Sequence, residues 1–214
     1  LSTLGAVVLI KALNLMTVFI GLELLSLPLY AMIGMRRGYA QGGEASIKYF
    51  VTGAVATAVL LYGMSFIYGL TGSLDIQTIA LKLASASSQY QLIILFSMVF
   101  FILAFAFKLG AAPFHMWLPE VYDGSPNAVT AYLASVPKVA GYAMLIILMH
   151  DLMRSFSQYW SEILMVMGIL SIIIGNTAAL VQKNLKRMIG YSTIAHVGFV
   201  FLALSVDTDG SMSL

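Results

Sequence analysis

Apolar residues in this chain gather in long blocks rather than in short amphipathic stripes, at about 13–35, 47–70, 91–111, 127–150, 161–181 and 188–206. Each block is close to the ~20 residues that a helix rising 1.5 Å per residue needs to cross about 30 Å of hydrocarbon. The pattern predicts six transmembrane helices. Residues 1–10 are apolar but too short to span, and read as the end of a further helix, so the chain, which opens on Leu1, is expected to be a fragment. The longest connection, about 71–90, holds Thr71-Gly72-Ser73 and Ser85-Ala86-Ser87-Ser88, and reads as a surface loop with a short amphipathic piece from Ile76 to Leu83. Asp207-Thr208-Asp209-Gly210 reads as a closing polar loop.

Three charges interrupt the blocks. Glu23, Lys108 and Lys138 each lie within five residues of a proline. A charge near a bilayer centre costs about 2.5–3.5 kcal/mol on insertion scales, so such residues persist mainly where they face a polar pathway or a partner. Having no N–H, Pro28, Pro113 and Pro137 leave the carbonyls of Leu24, Leu109 and Leu133 without their helical donors. Side chain and freed carbonyl together favour water, and point to ion or proton movement. Bland alternatives exist for each: Glu23 as a buried helix–helix contact with Ser26 or a neighbouring backbone, Lys138 as a cap on broken-helix carbonyls, Lys108 as a lysine snorkelling from the end of its span. Against the last stands Leu109-Gly110-Ala111-Ala112-Pro113-Phe114-His115-Met116-Trp117-Leu118-Pro119, too apolar for a solvent loop and too interrupted for one smooth helix. It predicts a discontinuous helix, an arrangement found around ion sites near the membrane midplane. His115, two residues past Pro113, can donate and accept a proton near neutral pH and is a relay candidate. Lys186 and His196 are weaker relay candidates, Lys183 and Arg187 read as membrane-surface anchors, and His150 beside Asp151 reads as interfacial.

Composition supports the membrane reading: 60% of residues are hydrophobic, 9% are charged and the mean hydropathy is +0.94. A net charge of +2 with no basic-aromatic stripe argues against nucleic acid. The absence of cysteine excludes thiolate zinc sites, iron–sulfur ligation and disulfides within the chain. His115, His150 and His196 are scattered over different blocks and form no metal or haem pattern, and no hydrolase triad or nucleophile elbow is visible. Among the alternating loops one set holds Arg36, Arg37, Lys48, Lys183, Lys186 and Arg187, the other only Lys11, Lys82 and Arg154. Lys and Arg collect in cytoplasmic loops, so the first set is expected to face the cytoplasm, with Asp75, Asp151, Asp207 and Asp209 on the far side.

Four stretches carry a family resemblance: Gly21-Leu22-Glu23-Leu24-Leu25-Ser26-Leu27-Pro28-Leu29-Tyr30, Glu44-Ala45-Ser46-Ile47-Lys48-Tyr49, Lys108-Leu109-Gly110-Ala111-Ala112-Pro113-Phe114-His115, and Asn184-Leu185-Lys186-Arg187-Met188-Ile189-Gly190-Tyr191-Ser192. In this order they resemble the antiporter-like membrane subunits of proton-pumping NADH–quinone oxidoreductase, respiratory complex I, and their wording favours the subunit N branch over the L and M branches. The resemblance implies an all-α polytopic fold, a helical bundle with a discontinuous helix, here a fragment of a fourteen-helix inverted-repeat fold. Residues 1–156 would be the first antiporter-like repeat, from the tail of helix four through helix eight. Residues 157–214 would begin the second repeat with helices nine and ten, leaving the second broken helix and its lysine beyond Leu214. Glu23, Lys108 and Lys138 would be the charged groups of proton translocation, with His115 following the break. No cofactor is expected on this chain itself; NADH, FMN, iron–sulfur clusters and quinone belong to partner subunits. The implied partners are the other complex I membrane subunits, the lipid bilayer, protons and water, in a bacterial inner membrane more than an organellar one. A subunit of a multisubunit Na⁺/H⁺ antiporter or membrane-bound hydrogenase, or a passive membrane scaffold, are the alternatives.

Overall fold

The computed structural model describes residues 1–36, 38–85 and 88–206. Arg37, Ala86, Ser87, Asp207 and Asp209, on which parts of the loop and orientation expectations rest, lie outside the described residues. Among the described residues six helices are long and apolar enough to cross a membrane, one for each expected block: Leu15–Gly34, Ala40–Thr71, Gln91–Leu109, Asn127–Leu152, Arg154–Leu180 and Leu185–Val206. No β-strand occurs among the described residues.

The chain opens with α1 (Ser2–Ile10), as the short first block suggested, and turns at Lys11 into α2 (Leu15–Gly34). Asn14 starts α2 by accepting the Met16 N–H at 2.8 Å, so the polar residue ahead of the block serves as its N-cap. The two helices touch at backbone level, since a methyl group built on Gly5 would come within 2.3 Å of Leu25 N. Ser2 Oγ donates to Leu25 O at 2.7 Å, one residue along from the carbonyl that Pro28 frees. α3 (Ala40–Thr71) is 32 residues long and ends at Gly72, whose positive φ of 64° is the left-handed cap that glycine adopts without strain. Its start differs from the expected block. The helix begins seven residues earlier, because Gln41, Glu44 and Lys48 give its first turns a polar face, closed by an i,i+4 pair of Glu44 and Lys48 at 2.6 Å. Lys48 is therefore a helix residue rather than a loop cation.

Between α3 and the next span lies α4 (Ile76–Ala84), the expected amphipathic piece, which buries Ile76, Ile79 and Leu83. Asp75 caps it by accepting from both Thr78 N at 2.8 Å and Thr78 Oγ1 at 2.7 Å, which holds its carboxyl below the usual carboxylate range. Lys82 Nζ in turn donates to the last carbonyls of α3 at Thr71 O, 2.5 Å. The predicted discontinuous helix is present. α5 (Gln91–Leu109) stops at Gly110, φ 76°, and α6 (Trp117–Gly124) resumes after a turn. Gly124 comes against Gln41 and Ala45 at the start of α3, so α5 and α6 together carry the chain across to the side where α3 begins. α7 (Asn127–Ile147) returns, ending in a wide π turn at Leu148–Leu152, and α8 (Ser157–Leu180) and α9 (Leu185–Val206) form a hairpin. Gly168, Gly175 and Gly198 let these two backbones meet, and Gly190 sets α9 against Pro119 of α6.

Candidate functional site

The site is built around the break. Gly110 N–H turns back to Phe107 O at 3.2 Å and Ala111 N–H to Ala106 O at 2.9 Å, closing the end of α5. Phe107 O also accepts Trp117 Nε1 at 3.0 Å, so the first residue of α6 is tied to the last turn of α5. Pro113 has no N–H to offer Leu109 O, and that is the carbonyl which Lys138 of α7 occupies with its Nζ. Lys138 is buried, 5% exposed, with its ammonium 5.3 Å from the centre of the Trp117 ring. A carbonyl dipole and an aromatic face are the surroundings that make a buried cation tolerable. Trp117 stacks on Tyr49 at 4.7 Å, and Tyr49 meets Tyr30 edge-on at 4.8 Å, so an aromatic row joins α6, α3 and α2 beside the break.

On the other side of Leu109, Lys108 meets α2. Its Nζ lies 4.0 Å from Glu23 Oε1 and donates to Ser26 Oγ at 3.1 Å. Glu23 accepts from Thr57 Oγ1 of α3 at 2.6 Å, and Thr57 is itself bonded to Gly53 O. Three helices thus converge on one carboxylate and one ammonium. Ser26, expected beside Glu23, serves the lysine instead; Glu23 and Ser26 share a face of α2 at i,i+3, and Lys108 comes down on both.

His115 lies in a cleft of about 580 Å³ lined also by Lys48, Thr52, Trp117, Glu120 and Tyr191, with its buried Nδ1 lacking a hydrogen-bond partner among the described residues. Lys138 does not line that cleft, so His115 is grouped with Lys48 and Glu120. Lys186 Nζ donates to Ser125 O at 2.6 Å, capping the end of α6, while His196 is exposed on α9. Of the six expected residues, Glu23 and Lys108 come together, Lys138 joins them through Leu109, and the other three stand apart.

Two groups escaped the sequence. Lys48 Nζ lies 2.5 Å from Glu120, and Asp123 accepts from Arg187 Nε at 3.1 Å and Asn184 Nδ2 at 2.7 Å. A carboxylate beside Pro119 and another near a helix end carried the only signal. Ser171 of α8, which accepts the Ala112 N–H at 2.8 Å, carried none. Among the described residues no group of three His, Asp or Glu side chains could hold a metal ion.

A bundle of membrane-length helices with a discontinuous helix, an acid–lysine pair before the break and a second lysine on its freed carbonyl defines an antiporter-like class of polytopic membrane fold. The sequence profile of a family described as NADH:quinone oxidoreductase/Mrp antiporter, TM, matches residues 12–214, and the chain belongs to that family. It is 50% identical over 210 residues to NADH-quinone oxidoreductase subunit N of Ruthia magnifica, an alignment covering 97% of this chain and 43% of that protein. Subunit N of Coxiella burnetii is likewise 50% identical over 208 residues, 97% of this chain and 43% of the relative. The chain thus spans less than half the length of these relatives. A chain of respiratory complex I from Thermus thermophilus superposes with a TM-score of 0.79 at 38% identity, covering 95% of this chain and 43% of that one. A chain of the Mrp complex from Dietzia superposes at 0.84 with 21% identity over 96% of this chain and 37% of the other, which speaks to the fold alone.

Proposed function

We propose that this chain is part of an antiporter-like subunit, of the subunit N branch, in the membrane arm of a proton-translocating NADH–quinone oxidoreductase. Residues 1–156 form its first repeat and 157–214 begin the second; the self-packed α8–α9 hairpin supports that division. NADH, FMN, the iron–sulfur clusters and quinone are bound by other subunits, the neighbours are further membrane subunits, and the location is a bacterial inner membrane. The observation that carries the reading is the sequence Glu23, Lys108, Leu109 carbonyl, Lys138 through the interior.

In this reading Coulomb attraction favours a proton on Lys108 while Glu23 faces it. Opening the pair removes the attraction and frees the proton to move toward Lys138 and onward. Lys138 holds its charge against a carbonyl rather than a carboxylate, so it can receive and release without separating from a counter-ion. His115, with Lys48 and Glu120 in the adjoining cleft, offers a route for protons to reach the pair from the cation-rich face. Moving one charge against 100 mV requires about 2.3 kcal/mol, which quinone reduction elsewhere in the complex supplies.

Replacing Lys138 by alanine in the assembled complex tests this. NADH oxidation by an artificial acceptor should stay normal while quinone-linked turnover and proton pumping both fall, pumping the more, so that fewer protons move per electron transferred. Normal pumping in the variant would remove the proposed role.

A further inference from the structure

The turn between α5 and α6 is held from two sides. Lys138 of α7 donates to Leu109 O at the end of α5, and Ser171 of α8 accepts the Ala112 N–H, three residues on, at 2.8 Å. Gly110 and Ala111 direct their N–H groups back into α5, and Pro113 has none. Between Leu109 and Pro113, Ala112 N–H is therefore the donor that α5 does not take up. Ala112 is fully buried, and such a group is paired in nearly every folded protein. Ser171 is also fully buried, and its own hydrogen is committed to Met167 O at 2.7 Å, which leaves a lone pair fixed toward Ala112. The same hairpin grips the far end of α6, where Arg187 and Asn184 hold Asp123 and Lys186 holds Ser125 O.

We propose that Ser171 is a positioning residue for proton transfer through Lys138, fixing from the α8–α9 hairpin the turn whose carbonyl seats the lysine. The inference rests on the reading of Lys138 as a proton carrier. With the hydroxyl in place, the Leu109 carbonyl stays aimed at Lys138 through a cycle of proton loss and gain. Without it, the turn relaxes about its remaining anchor, and the lysine no longer returns to one position. A shift of the hairpin is thereby passed to the lysine through the turn.

The test uses the assembled complex in sealed vesicles, reading protons pumped per electron, the quinone KM and artificial-acceptor NADH oxidation. In Ser171→Ala the proton-to-electron ratio should fall at least about threefold, since small misplacements are costly in transfer chemistry, with the other two readings unchanged. Ser171→Thr keeps the acceptor and should restore the ratio; a Thr variant as uncoupled as the Ala variant would assign the effect to shape and overturn the proposal. In a Lys138→Ala background, Ser171→Ala should add nothing, and full additivity overturns it. If Ser171→Ala does not assemble, Ser171→Cys, a weak acceptor of similar size, must show a smaller loss of the same kind, and a native ratio there overturns it. A native ratio in Lys138→Ala would instead remove the carrier reading beneath it, whereas a reduced ratio in Lys138→Ala beside a native one in Ser171→Ala removes only this inference.

Discussion

At the cation-rich face Lys48 sits 2.6 Å from Glu44 and 2.5 Å from Glu120, with all three side chains roughly half exposed; in the interior, Lys108 and Glu23 stand 4.0 Å apart, the lysine side chain only 9% exposed. Distance ranks the surface pairs first, but surroundings reverse the order. Exposed pairs are worth about 0–1 kcal/mol after screening and side-chain ordering. Two charges 4 Å apart at an effective dielectric near 20 attract by about 4 kcal/mol before desolvation is counted. Opening them to about 6 Å at the same dielectric changes that attraction by about 1.4 kcal/mol, a tenfold change in an equilibrium. The close pairs brace the fold, and the loose one responds to small movements.

The largest effect that could break this contrast is in the interior. Lys108→Met should cut quinone-linked proton pumping by about tenfold or more, as expected for an intramembrane charge with a functional partner, and Glu23→Gln should cut it less. The proposed pairing of the two predicts a double variant no worse than Lys108→Met alone. Strictly additive losses in that cycle would mean two independent residues.

A smaller effect is expected at the face. Glu120→Gln should change turnover by no more than about threefold, and the difference should shrink further as salt is raised through the range that screens exposed charges. A loss as large and salt-resistant as that of Glu23→Gln would erase the distinction between the regions. The sidedness of that face can be read directly, since the chain has no cysteine. Single cysteines at Gly38 and Lys183 should be labelled from the cytoplasmic side; labelling of both from the opposite side would invert the orientation.

The smallest effect lies on α4. Asp75→Ala should speed amide exchange of the first turn, Ile76 to Ile79, severalfold and leave pumping intact, because only the cap is lost. Asp75 binds its proton less readily when folded, so its contribution is present above the ordinary aspartate range and is lost as pH falls through the lower folded value. Exchange protection in the native chain should decline with acid in that order, and a pH-independent first turn would rule out the carboxylate cap.

The spans were legible because twenty-residue apolar blocks have few alternatives in a bilayer. The break was legible too, since Pro113 names Leu109 as the freed carbonyl from covalent chemistry alone, while a cap on broken-helix carbonyls stood only as the alternative to a proton-carrying role for Lys138. What the chain pattern could not show is which distant side chain arrives where. Ser171 lies 59 residues from Ala112, Glu120 lies 72 from Lys48, and nothing in local periodicity links them. The early start of α3 was hidden for a different reason, as its first turns are polar and bear on α6 rather than on lipid. Ser26 was placed correctly on the face of Glu23 but with the wrong partner, because one face of a helix can serve two groups.

The length of α3 also sets an electrical scale. Thr57, which fixes Glu23, is nine residues beyond Lys48, about 14 Å along an upright helix and so about half of a 30 Å hydrocarbon layer. A proton reaching that level from the Lys48 end has crossed roughly half of the membrane voltage, about 1.2 kcal/mol per 100 mV, before it meets Lys108. On the proposed proton-carrying role of the interior pair, an energised membrane and a collapsed one should load this site differently at the same pH.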